Sequence, residues 1–237
     1  MISIDFTRMR AQATRDTQAS LAVPPTSWTW SEKTLAQWDN DLAALEQLKI
    51  DESARRAQWR NATESWQADI DRIQQMTRDV VREGAFRYRN DAVKAQLFSA
   101  LNTDATGRRE VYEQGLAARD AWQEADPAWQ LSPEDTLGTF SSLLEGSPAR
   151  ESAESAKLTA WRQTSSSLLS KATFVDVDNV AWYVDAIRRF PEGTTAGALI
   201  RSAVPTTTHA APEVRRAVTS NLTPSGATVH FDVAAAA

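Results

Sequence analysis

The chain has 237 residues, no cysteine, 42% hydrophobic and 24% charged residues, and 26 Lys and Arg against 31 Asp and Glu, a formal charge of -5. These values exclude disulfide frameworks, thiolate nucleophiles, cysteine zinc sites and a wholly disordered chain, and they leave no general pull toward nucleic acid or anionic lipid. Met1 to Gln12 lacks the apolar stretch of a secretory signal and no window reaches the length of a membrane span, so the expected location is cytoplasmic, or exported within an assembly.

The first 31 residues read as an N-terminal extension. Ile2, Ile4 and Phe6 alternate with polar residues, which predicts a short strand, and Leu21 to Thr29 is rich in proline and small residues.

From Glu32 onward the chain repeats itself. Glu32, Thr34, Leu35, Leu42, Glu52, Ser53, Ala54, Trp59 and Arg60 all recur 102 residues later, nine identities in 29 ungapped positions, where average residue usage gives roughly two. With one inserted residue, 95–101 then aligns with 198–204. This predicts a mainly α protein of tandem-duplicated helical units, 32–101 and 134–204, forming an elongated bundle.

In unit one, Leu35, Trp38, Leu42 and Leu45 fall three and four apart, the spacing of one helix face. A long helix over about 52–83 carries Trp59, Trp66, Ile73 and Val80 at seven-residue intervals, a seam for neighbouring helices, with Gly84 as its stop and a shorter helix from Asp91 to Leu101 after it. Residues 102–133 form a connecting helix and linker, the helix running over about 108–124 with Tyr112, Leu116 and Trp122. Unit two is expected to start at Ser132-Pro133-Glu134-Asp135, a cap followed by proline and carboxylates. A second start is expected at Asp176-Val177-Asp178-Asn179, leading into a helix that ends at Phe190 before Pro191, with a final helix over 193–204. Residues 205–237 read as a linker and β tail, two extended runs around Pro224-Ser225-Gly226 forming a hairpin.

Ala181-Trp182-Tyr183, Arg189-Phe190-Pro191-Glu192-Gly193-Thr194, Ile200-Arg201 and Val204-Pro205-Thr206-Thr207 resemble uncharacterised bacterial helical-repeat proteins that carry a C-terminal fibronectin-type β module. The resemblance covers mainly residues 181–207. It implies a helical scaffold followed by β structure, and no established activity.

The candidate chemistry is sparse. His209 and His230 are the only histidines, so no histidine metal cluster or triad can be assembled. Asp176-Val177-Asp178-Asn179 lacks the Gly and Glu that a calcium loop needs and reads as a helix cap. No glycine-rich phosphate loop exists, and the Ser165–Ser167 run lacks nucleophile-elbow glycines. No catalytic residue, cofactor or metal is therefore expected. The carboxylates available for acid–base work are Asp69 with Asp71, and Glu52 with Glu154, the last two placed early in helices where they favour the dipole. A cationic corner over 82–94, Phe86-Arg87-Tyr88-Arg89 with Arg82 and Lys94, could stack bases, although Asp79, Glu83 and Asp91 lie among its charges. Trp59 and Trp161 are expected as equivalent core anchors, and Trp28, Trp30 and Trp129 either close the ends of the bundle or present aromatic area to a partner. The expectation is a non-enzymatic structural or protein-interaction scaffold in a homo- or hetero-assembly, with Trp28, Trp30, Trp129, Val229 and Phe231 as partner-binding residues. The alternatives are a carboxylate enzyme with a cleft between the units, and nucleic-acid binding through the 82–94 corner.

Overall fold

The computed structural model describes residues 3–203. The β tail with Val229 and Phe231, both histidines and the start of the N-terminal alternation lie outside the described residues. Among those described there are six α-helices and no strand: α1 (Ile4–Leu21), α2 (Leu35–Arg87), α3 (Ala92–Ser99), α4 (Arg108–Ala125), α5 (Leu137–Arg189) and α6 (Thr195–Ala203).

The expected N-terminal strand is a helix. Ser3 caps it by accepting from the Phe6 N–H at 3.4 Å. The face of α1 that becomes buried, Thr7, Ala11, Thr14, Gln18 and Leu21, follows a 4-3-4-3 spacing but is mostly threonine, alanine and glutamine, so hydropathy does not mark it. Helix α4 buries Val111, Gly115, Ala118, Trp122 and Ala125 at the same spacing, 104 residues later.

Two 53-residue helices, each about 80 Å long at 1.5 Å per residue, form the frame. Both begin with reciprocal caps. Gln37 N–H donates to Thr34 Oγ1 (3.3 Å) while Thr34 N–H donates to Gln37 Oε1 (2.7 Å), and Thr139 and Thr136 exchange the same pair of bonds at 3.1 and 3.0 Å. Three expected starts are thereby corrected. The break before residue 52 does not exist, because α2 runs unbroken through it. Ser132 shapes a turn, accepting from the Glu134 and Asp135 N–H groups, and Thr136 caps α5 instead. Asp176 and Asp178 lie inside α5, where their carboxylates meet Arg10 (3.0 Å) and Lys33 (2.6 Å) and cap nothing. A short polar side chain that can cap a helix can equally make a tertiary ion pair, and here packing decides.

The pairs Trp59–Trp161, Asp69–Arg150 and Asp41–Lys171 run in opposite directions along α2 and α5, and Lys33, just before α2, meets Asp178, so the two long helices are antiparallel. The shorter helices cover their ends. One core gathers Ile70, Ile73, Met76 and Val80 of α2 with Phe98 of α3, α4, and Phe140 and Leu144 of α5. The other gathers Trp38 and Leu45 of α2 with Ala11 and Leu21 of α1, Val175 and Trp182 of α5, and Ile200 of α6. Gly115 lets α4 lie close: a Cβ there would come within 2.7 Å of Ile73 Cγ2 and 2.9 Å of Leu144 Cδ2. Each core thus draws on both halves of the chain. Between them lies a waist without buried residues, from 46 to 68 in α2 and from 148 to 167 in α5.

Candidate functional site

The waist is held by a reciprocal clamp. Trp59 and Trp161 stack with ring centroids 4.9 Å apart and planes 3° from parallel. Trp161 Nε1 donates to Glu52 Oε1 at 2.5 Å, and Trp59 Nε1 donates to Glu154 Oε1 at 2.7 Å. Ser165 Oγ donates to Glu52 Oε1 (3.2 Å), and Thr63 Oγ1, which stands 102 residues before Ser165, lies 3.1 Å from Glu154 Oε1. All four clamp residues are half-buried. Trp59 and Trp161 are therefore equivalent but not core, which corrects the expectation of deep anchors. Glu52 and Glu154 lie mid-helix, far from the helix N-termini expected for them, and their negative charge satisfies indole N–H groups rather than a dipole.

The Trp residues outside the periodic stretches sit at the ends. Trp30 is 6% exposed, lies 6.3 Å from Trp38 ring to ring, and donates from Nε1 to Asp185 at 3.0 Å. Trp129, also 6% exposed, meets Trp122 at 5.2 Å and Phe98 at 6.0 Å, and its carbonyl accepts from Trp122 Nε1 at 3.1 Å. Trp28 is half-buried, edge-on to Phe190 at 5.5 Å and 6.3 Å from Trp182. All three rings lie against core residues, so little of their aromatic area reaches solvent.

Of the remaining carboxylates, Asp69 is buried and pairs with Arg150, and Asp71 accepts from Gln67 Nε2 at 2.8 Å on the solvent side. The two are not brought together. In the 82–94 corner the cations are already engaged. Arg82 meets Asp79 (2.7 Å) and Glu83 (3.1 Å), Lys94 Nζ donates to the Ala125 carbonyl (2.6 Å), and Arg89 folds back over the Phe86 ring at 4.6 Å. Arg87 lies 4.0 Å from Asp126, whose carboxylate also faces the Tyr88 hydroxyl at 3.3 Å. Burial, aided by Asp126 against the opposing pull of Arg87, raises Tyr88 above the usual phenol range.

One buried ionic network stands out. Lys33, 5% exposed, pairs with Asp41 and with Asp178, and its Nζ lies 3.9 Å from the Trp38 ring centroid. Lys171 also pairs with Asp41. Burial alone would raise Asp41, but hydrogen bonds and charge from Lys171 and Lys33 outweigh it and hold the carboxyl below its ordinary value. The network ties α2 to α5 beside a groove of about 460 Å³ lined by Trp30, Gln37, Phe174 and Asp178. A larger open groove of about 730 Å³ runs between α1 and α2, with Asp5, Arg8, Asp16 and Leu42 in its walls. Among the described residues no group of three or more His, Cys, Asp or Glu is placed to hold a metal ion, and no helix is long and apolar enough to cross a membrane.

The structure also exposes residues that the sequence reading passed over. Leu169, Phe174, Val177, Val180 and Val184, all on α5, are 40–61% exposed. The signal available was a second 4-3-4-3 series beside the one carrying Val175 and Trp182. Comparison with protein-family models, with curated proteins and with solved structures gives no match.

Proposed function

We propose that this chain is a non-enzymatic interaction scaffold built by tandem duplication of an α-helical unit, working as a component of a larger assembly. Helices of 18, 53 and 8 residues are followed by helices of 18, 53 and 9, offset by 104, 102 and 103 positions. The duplicated unit is accordingly extended to 4–99 and 108–203, with α4 as the counterpart of α1 rather than a connector.

The observation that carries the reading is the clamp: Trp59 and Thr63 meet Glu154 as Trp161 and Ser165, 102 residues later, meet Glu52, so each contact across the waist is repeated by the counterparts of its two residues. Glu52 and Glu154 are tied into this clamp and Asp69 into an interhelical ion pair, Asp71 stands apart from them on the solvent side, and the corner cations are tied to neighbouring acids and carbonyls. That leaves the surfaces as the working parts, together with the C-terminal runs carrying Val229 and Phe231, whose sequence pattern reads as a β hairpin and which lie outside the described residues. Sedimentation with particle imaging, joined to affinity capture of partners by the full chain, tests the proposal. A discrete assembly or a specific protein partner is expected, and a strict monomer that captures nothing overturns it.

A further inference from the structure

The outward face of α5 is built like an interface, although nothing described covers it. Ser166, Ser170, Thr173, Val177, Val180 and Val184 succeed one another at intervals of 4, 3, 4, 3 and 4, the spacing of a coiled-coil seam, and all six are exposed. At 100° per residue this seam lies opposite the buried one of Leu168, Ala172, Val175, Asn179, Trp182 and Ala186, which has the same spacing. Helix α5 therefore carries two seams and uses only one inside the described fold.

The equivalent face of α2, 102 residues earlier, provides an internal control. There the same positions are Glu64, Ala68, Asp71, Gln75, Arg78 and Arg82, four of them charged and all exposed. The face of α2 is thus polar and mostly charged where the matching face of α5 is neutral. Its large apolar side chains, Leu169 (50% exposed), Phe174 (55%), Val177 (61%), Val180 (48%) and Val184 (40%), present on the order of 400 Å², the size at which patches on soluble proteins are often functional.

We infer that this face pairs with the same face of a second copy of the chain, two α5 helices packing antiparallel across a two-fold axis near residues 178 and 179. The inference rests on the scaffold reading above and names its partner. A seam on one helix is self-complementary under a two-fold axis without any other surface. In that register Val177 faces the second copy's Val180, Thr173 faces Val184, and Phe174 lies beside Ala181, large against small. The flanking acid Asp176 is already paired with Arg10 at 3.0 Å, so no like charges are forced together. Two such faces remove on the order of 800 Å², short of the roughly 1,200 Å² at which stable complexes begin. The pair is therefore reversible and concentration-dependent.

Sedimentation velocity of the full chain between about 1 and 300 µM should show a monomer–dimer equilibrium, with Val177→Lys raising the dissociation constant at least tenfold while helix content stays unchanged. Val177 is exposed and Lys is a good helix former, so the substitution leaves the fold intact. Gln75→Lys on the equivalent α2 face should leave the dimer as it is. Because the chain has no cysteine, Ser166→Cys accepts a single spin label. Antiparallel pairing then separates the two labels by about 37 Å along the axis, from 25 residues at 1.5 Å each. Labels closer than about 15 Å mean parallel pairing and overturn the inference. Association that Val177→Lys leaves intact overturns it while keeping the scaffold reading. So does a monomer at every concentration that still captures a different protein. A monomer that captures nothing removes both.

Discussion

Removing one ring of the clamp gives a measurement that the reciprocity of the two halves constrains tightly. In Trp59→Ala the waist loses one half-buried indole, its bond to Glu154 and the stack on Trp161. A fully buried aromatic truncated to Ala costs about 3 to 5 kcal/mol, and half burial brings that to about 2. The stack adds about 0.5 to 1.5 kcal/mol beyond area, while water takes over much of the freed Glu154 carboxylate. The expected loss is about 2.5 to 3.5 kcal/mol, or about 5 to 14 °C in Tm for a helical unit of this size. Trp161→Ala should cost the same within about 0.5 kcal/mol, because its stack and its bond to Glu52 repeat the stack of Trp59 and its bond to Glu154, while the exposed Arg56 that lies 6.0 Å from the Trp161 ring adds little. The double variant should cost about 1 kcal/mol less than the sum, since the stack can be lost only once. Urea unfolding followed by circular dichroism at 222 nm measures all three. Strictly additive single costs, or single costs differing more than twofold, would refute the clamp as the element holding the waist.

Three further outcomes follow from the packing. Asp41 is held below its ordinary carboxyl value, so the stability it contributes is complete above about pH 4 and is lost as pH falls through the depressed value. Asp41→Asn should therefore lower the urea midpoint at neutral pH and flatten its fall below pH 4, and acid limbs that stay parallel would contradict the assignment. A Cβ on Gly84 would stand 2.6 Å from the Phe98 ring, whereas one on Gly146 meets nothing within 4 Å. Gly84→Ala should cost about 1 to 2 kcal/mol net of the helix propensity it gains, and Gly146→Ala should add about 0.5 to 1 kcal/mol, both read from thermal unfolding. Residues 1–204 form one compact unit, so a chain ending at Val204 should keep its helical signal and cooperative melting. Outright unfolding of that truncation would place the tail in the core.

The long elements were legible wherever burial and hydropathy coincide. Trp38, Leu45, Ile73, Val80 and Trp182 announce both their helices and their inward faces, and the 102-residue offset marks Trp59 with Trp161 and Glu52 with Glu154 as counterparts, without revealing that they meet. What was not legible lies where a polar residue does the work of an apolar one. The buried face of α1 is written in Thr7, Thr14 and Gln18, so its likeness to α4 cannot be seen in hydropathy, and Gln18 is inside because its amide accepts from Trp38 Nε1 at 3.0 Å and donates to the Lys33 carbonyl at 2.9 Å. The stretch around Ile50 to Ser53 reads as a boundary because no core lies beneath it, yet the helix continues on its own local bonds, such as Gln47 Nε2 to Asp51 at 2.9 Å. Asp176 and Asp178 look like caps because nothing local reveals that Arg10 and Lys33, more than 140 residues away, will meet them. Of the candidate site, the stacking partners of Trp28, Trp30 and Trp129 needed coordinates. The outward seam of α5 did not, since its spacing stands in the sequence.

The interleaving of the two ends also sets an order of events during synthesis. Helix α1 and the first turns of α2 find their cover in α5 and α6, so the core of Leu21, Trp38 and Leu45 cannot close until the chain has grown past Trp182 and Ile200. At 5 to 20 residues per second that wait is roughly 10 to 30 s. The opposite core, of Ile73, Phe98, Trp122 and Leu144, can close as soon as the start of α5 emerges. The end made from the middle of the sequence is therefore born first, and the two termini of the helical unit are joined last.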